Sequence, residues 1–266
     1  MWLMLSIAKF RLAFACFLAA SAALGQGVQP SENIHFSVDR PGISDYPTIV
    51  PKGNIQLESG IEYLQSDNHR SILLPTITLR SAVSRKLEFR LTNRILRIDS
   101  VVNNQEDKFY YNVALDLKYA LFQEKGILPA TTLLAGYTFT PPASIRLHGP
   151  IWGSYALLLM ENNLHDKVLF NYNGGVIWNG YEGNLATMYS FCFEVELSTR
   201  AAVFIEQASF FNIREQDNYW LVLGYTHLAS RHSQIDFSCA VDINGGPTDY
   251  FVAVGYSKRI PLRKGN

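Results

Sequence analysis

From residue 53 to 64 the chain alternates strictly. Ile55, Leu57, Ser59, Ile61 and Tyr63 fall on one face, and Gln56, Glu58, Gly60 and Glu62 on the other. A period of two with an oily side and a wet side is the signature of a strand whose faces meet different surroundings. The pattern recurs to the end of the chain, interrupted by short polar clusters. It predicts strands over 53–64, 71–81, 86–99, 109–121, 127–139, 151–161, 166–178, 184–198, 201–211, 218–229, 233–243 and 249–260. Outside the first residues no segment carries a helical period.

The faces are sharp where they are easiest to read. On the fourth strand Tyr111, Val113, Leu115, Leu117 and Tyr119 alternate with Asn112, Ala114, Asp116 and Lys118. On the eighth, Tyr189, Phe191, Phe193, Val195 and Leu197 alternate with Ser190, Cys192, Glu194 and Glu196. Strands with carboxylates at every second position cannot be dry on both faces. On the third strand the alternation shifts near Asn93, which predicts a bulge there.

Aromatic placement separates a membrane barrel from a soluble sandwich. If the first strand runs outward, Tyr63, Phe109, Phe139, Trp152, Trp178, Phe211, Tyr219 and Tyr250 lie at outer strand ends. Tyr119, Phe170, Tyr225 and Tyr256 lie at inner ends. Two such belts are what the two bilayer interfaces select. An even strand count puts both barrel termini on one side, with tight inner turns at 83–85 and 198–200 and longer outer loops at 103–108 and 140–150.

Composition narrows the class. Charged residues are 17% of the 266, aromatics 13%, and acidic and basic side chains balance at 23 each. No basic excess points to nucleic acid as a partner. Lys9 and Arg11, an apolar stretch over 12–18 and the small residues Ala20, Ser21, Ala22, Ala23 and Gly25 read as a signal peptide over 1–25. Past it, the longest apolar run, 155–160, is far short of the roughly 18 residues a spanning helix requires. If the chain enters a membrane, it does so with strands.

Candidate chemistry is sparse. Cys192 and Cys239 fall on opposite faces by parity, so they are not expected to pair. The histidines at 35, 69, 148, 165, 227 and 232 show no zinc-ligand spacing, and there is no phosphate loop or nucleophile elbow. We therefore expect no enzyme, no catalytic residue, no metal and no cofactor. The charges that parity turns inward are more informative: Glu58, Glu62, Arg90, Arg94, Asp116, Lys118, Glu194 and Glu196 are candidates for a solute path. Glu88, Glu206, Asp236 and Asp242 share that face. The alternative is that these charges pair across strands and simply fill a narrow interior.

Residues 26–52 lack a period and carry Pro30, Pro41, Gly42 and Pro47. They read as an arm or plug ahead of a barrel over 53–266, with Asp39 and Arg40 as a latch to lumen charges. Asp39-Arg40-Pro41-Gly42 is also a good turn in its own right.

This box, Asp39-Arg40-Pro41-Gly42-x-Ser44 followed by Val50-Pro51-Lys52-Gly53, Gln56-Leu57-Glu58 and Gly60, resembles the MetA-pathway of phenol degradation family. Leu115-x-Leu117-Lys118-Tyr119 and Gly224-Tyr225 resemble family strands in a barrel-generic way. The resemblance implies an outer-membrane channel of a Gram-negative bacterium that passes hydrophobic or aromatic compounds, with no enzymatic activity. The chain departs from many barrels in ending without a terminal aromatic residue.

The expectation is an all-β protein: one closed antiparallel transmembrane barrel of about twelve strands, with an N-terminal signal peptide and a periplasmic arm. Its partners would be membrane lipid, a small-molecule solute and the barrel-assembly machinery. Passive uptake of small solutes, hydrophobic or aromatic ones among them, is the favoured function. A structural or adhesive barrel with a plugged lumen and a soluble periplasmic β-sheet ligand-binding protein are the alternatives.

Overall fold

The computed structural model describes residues 36–40, 42–66, 69–100, 108–139, 152–179, 184–213, 217–244 and 249–262. The expected signal peptide lies outside the described residues, as do the side chains of Phe109 and Trp152. Twelve strands run in order: β1 (Asn54–Gln65), β2 (His69–Ala82), β3 (Leu87–Ser100), β4 (Lys108–Phe122), β5 (Ala130–Phe139) and β6 (Trp152–His165). The second half is β7 (Val168–Asn179), β8 (Asn184–Ser198), β9 (Ala201–Asn212), β10 (Asn218–Ser230), β11 (Ser233–Asp242) and β12 (Tyr250–Pro261). Each pairs antiparallel with its chain neighbours, and β12 closes on β1 from Asn54↔Pro261 to Gln65↔Tyr250. Closure leaves no unpaired edge, the condition for strands to survive in hydrocarbon.

Burial is inverted relative to a soluble domain. Arg80, Glu88, Lys118, Glu206 and Asp236 are at most 1% exposed, whereas Phe89, Leu115 and Leu197 are at least half exposed. Fully exposing such a side chain to water forgoes about 1.5–3 kcal/mol. Side chains of this kind recur outward on nearly every strand, among them Ile61, Leu79, Leu158, Val176, Phe191, Ile205, Phe237 and Val252. The exterior is built for lipid. Phe170 stacks with Phe191 and Phe193 on that surface, and Tyr189, Phe211 and Tyr219 form a second aromatic group toward the other end.

Two sequence expectations change. The irregularity sought on the third strand belongs to the second. β3 pairs with β4 in continuous register from Leu87↔Tyr119 to Ile98↔Lys108, while the β2–β3 register jumps between Leu74 and Ile77. Pro75 sits in that jump; lacking an N–H, it cannot complete the ladder. The fifth strand begins at Ala130 rather than 127, because Lys125 and Leu128 close a tight turn in which Gly126 takes φ +60°.

Candidate functional site

The described N-terminal stretch, residues 36–53, has no regular secondary structure and is held by inward-facing side chains around nearly the whole barrel. Its backbone must find partners among side chains, since it has no ladder of its own. Gln56 Nε2 donates to the Ser37 carbonyl at 2.8 Å, Thr132 Oγ1 to Pro47 O at 2.7 Å and Arg80 Nη2 to Thr48 O at 3.1 Å. In the other direction Val50 N donates to Glu88 at 2.7 Å. Ile43 N and Ser44 N donate to the Glu206 carboxylate at 2.9 and 2.6 Å, and Ser44 Oγ donates to it at 2.5 Å. At the arm's end Gly53 takes φ +82° and Asn54 N donates to Pro51 O, which hands the chain to β1.

Asp39 and Arg40 turn to opposite walls. Asp39 Oδ2 lies 2.6 Å from Lys118 Nζ on β4, 2.9 Å from Arg80 Nη1 on β2 and 3.3 Å from Arg90 Nη1 on β3. Its Oδ1 accepts Tyr46 N at 3.0 Å. Burial acts to raise the Asp39 carboxyl, but Arg80, Lys118 and Arg90 outweigh it and hold the group well below the ordinary carboxylate range. Arg40 Nε points to Asp236 on β11 at 3.8 Å, a distance that pairs the charges without a direct hydrogen bond. Its guanidinium packs over Gly60 on β1, where a Cβ would collide with Cζ and Nη2.

The remaining sequence candidates are placed as follows. Glu58 accepts from Arg80 Nη1 and Gln56 Nε2, so it is absorbed into the Arg80 network together with Glu88. Arg90 bridges Asp39, Asp45 and, at 3.7 Å, Asp116. Asp116 also accepts the Tyr155 hydroxyl at 2.5 Å. Glu62 faces inward near the outer end, within reach of the Arg40 and Arg94 charges, and Arg94 is exposed. Glu194 accepts the Tyr46 hydroxyl at 2.5 Å, whereas Glu196 is exposed near the inner rim, two positions along β8. Burial and the adjacent Glu194 push the Tyr46 phenol well above its ordinary value, so it stays a donor. The structure thus gathers Asp39, Arg90, Asp116 and Lys118 into one network and leaves Glu62, Arg94 and Glu196 apart from it.

Sequence reasoning missed three participants. Arg80 is the most connected, but the Pro75 irregularity breaks the parity of β2, and no face was assigned there. Glu161 faces inward on β6, whose apolar run 155–160 hides its alternation. The third is an apolar wall. Trp220 and Phe251, with ring centroids 5.5 Å apart, join Leu64 over a cluster containing Phe204 and Val222. Tyr155, Ile177 and Phe210 join Leu157, Leu159 and Met188. Ile43 of the arm packs on both clusters. Among the described residues, these clusters place inward apolar side chains on β5 to β12 and, through Leu64, on β1. Cys192 and Cys239 are both free thiols.

No family model matches the chain, and no curated protein sequence does. Among solved structures it is similar to the COG4313 outer membrane channel from Pseudomonas putida F1, with TM-score 0.60 and 12% identity over 88% of this chain and 100% of that one. The NanC porin gives TM-score 0.53 and 8% identity over 77% of this chain and 100% of its own. The translocator domain of the autotransporter NalP from Neisseria meningitidis gives 0.51 and 13% over 96% and 97%. At these identities the likeness is one of fold: the chain is a closed twelve-stranded antiparallel barrel of the kind found in outer-membrane proteins.

Proposed function

We propose that this protein is an outer-membrane channel for passive uptake of small solutes, with residues 36–53 as a plug or gate latched by Asp39 and Arg40. One observation carries the reading: a lipid-facing barrel encloses a charged, water-compatible lumen, and the segment across that lumen is held by side-chain contacts rather than by strand pairing. Such contacts release one at a time. The oily outer wall around Trp220, Phe251 and Phe210 suits hydrophobic or aromatic solutes, in keeping with the resemblance to the MetA-pathway of phenol degradation family. The channel and porin among the structural neighbours support a transport role. A signal peptide over 1–25, an arm over 26–52, a barrel over 53–266 and delivery by the barrel-assembly machinery to the outer membrane of a Gram-negative bacterium complete the proposal.

A second reading has its own support: the arm's many buried contacts also suit a permanently plugged structural barrel. Planar-bilayer conductance separates the two. A channel conducts, and deleting residues 26–46 widens it. Silence from both the full chain and the deletion variant favours the structural barrel, while equal conductance from both removes the arm's gating role.

A further inference from the structure

The inner half of the lumen holds oxygen atoms that the Asp39 network does not use. Glu161 on β6 and Asn171 on β7 stand directly opposite each other in register, and both face the interior. Glu161 is 6% exposed and no protein group donates to its Oε2; Asn171 is fully buried and its Oδ1 has no donor either. The Asn171 amide is oriented by its other atom. Its Nδ2 and that of Asn173 donate to the same acceptor, the Asp45 carbonyl, at 3.1 and 3.0 Å. Asn173 lies nearer the outer rim, and the other side of Asn171 faces the inner mouth. There Glu194 approaches from β8, two positions beyond Cys192, the register partner of Asn171. Tyr46 joins the group: its hydroxyl donates to Glu194, and the charges of Glu194 and Glu161 both reach it.

Among the described residues, no salt bridge ends on Glu161 or Glu194. Lys118, whose charge is felt at Glu161, has its ammonium bound to Asp39 and to the Tyr46 carbonyl. The negative charges of Glu194 and Glu124 both bear on Glu161, and a buried carboxylate so placed needs either a proton or a cation. The donor set is two carboxylates and a carboxamide oxygen, with the soft Cys192 thiol packed into the apolar cluster beside them. Hard oxygen donors of this kind select Ca2+, which fills its remaining positions with water. No trio of His, Cys, Asp and Glu gathers among the described residues, and the third oxygen of this group comes from an amide.

We infer that Glu161, Asn171 and Glu194 form a Ca2+ site at the inner side of the lumen, adjoining Tyr46, so that the ion pins the middle of the arm to β6, β7 and β8. The test uses the full chain refolded in detergent free of lipopolysaccharide and stripped with chelator. Ca2+ is titrated by calorimetry, and Tb3+ by luminescence sensitised through the Tyr46 ring. The expected result is one site per barrel. Glu161→Gln should weaken it about tenfold or more, and Asn171→Asp should tighten it by adding a carboxylate. Heat-modifiable gel mobility establishes that each variant is folded. Absence of Ca2+ binding by the parent chain at millimolar ion, or undiminished binding by Glu161→Gln, overturns the site and leaves a proton on Glu161. Neither measurement depends on solute passage, so failure here and failure of the channel reading are distinguishable.

Discussion

Replacing Asp39 by Asn probes the latch with little change of shape. In the parent chain one carboxylate oxygen serves Lys118 at 2.6 Å, Arg80 at 2.9 Å and Arg90 at 3.3 Å. Arg80 retains Glu58 and Glu88 after the change, and Arg90 retains Asp45. Lys118 is left with neutral acceptors only, the Tyr46 carbonyl and the new amide oxygen, a fully buried ammonium without a carboxylate. Breaking a buried pair by removing one partner costs about 3–5 kcal/mol. At about 1.36 kcal/mol per decade this multiplies the undocked population of the arm by roughly a hundredfold to a few thousandfold. Protease cleavage within residues 36–50 reads that population directly when opening and closing are fast relative to cleavage. The variant should be cleaved faster by a comparable factor, while the barrel keeps its heat-modifiable mobility. Adding Lys118→Met should recover much of the loss, since it removes the orphaned charge. Equal cleavage rates for the parent chain and Asp39→Asn would refute the latch.

Because the folded arm holds the Asp39 carboxyl below its ordinary 3.8, its contribution is whole above that value and drains away as pH falls below it. The difference in cleavage rate between the parent chain and Asp39→Asn should therefore be constant from about pH 8 to 5 and narrow only below about pH 4. Glu206→Gln removes one of two acceptors that together receive Ile43 N, Ser44 N and Ser44 Oγ; protease access at 42–46 should rise by an amount matching about 1–3 kcal/mol. Gly60→Val puts side-chain carbons where the Arg40 guanidinium lies, so the arm should loosen on the Asp236 side at a cost of about 1–3 kcal/mol, read as higher bilayer conductance from a barrel of unchanged heat-modifiable mobility. On the outer surface Leu115→Arg, near the middle of β4, should lower folding stability in lipid vesicles by about 2–4 kcal/mol, measured by urea titration.

Strand existence, order and facing were legible in the sequence because alternation is a local property: once Leu115 and Leu117 face lipid, Asp116 and Lys118 must face in. Twelve such segments with no helical period leave a closed barrel as the economical way to hide every edge in a membrane. Parity failed where the backbone departs from it. Pro75 shifts the register of β2 against its neighbours, and Arg80, the centre of the charge network, sits beyond that shift. The sequence also ranked Asp39 and Arg40 as a pair, from a box ahead of the first strand. Which wall each would meet depends on how far around the barrel the arm lies, and no local pattern encodes that distance. Tertiary structure alone decided that Asp39 joins Lys118 and Arg80 while Arg40 turns to Asp236, that Ile43 bridges two apolar clusters, and that Glu161 faces Asn171. Side chains far apart in the chain become neighbours only when closure and strand register fix their positions around the lumen.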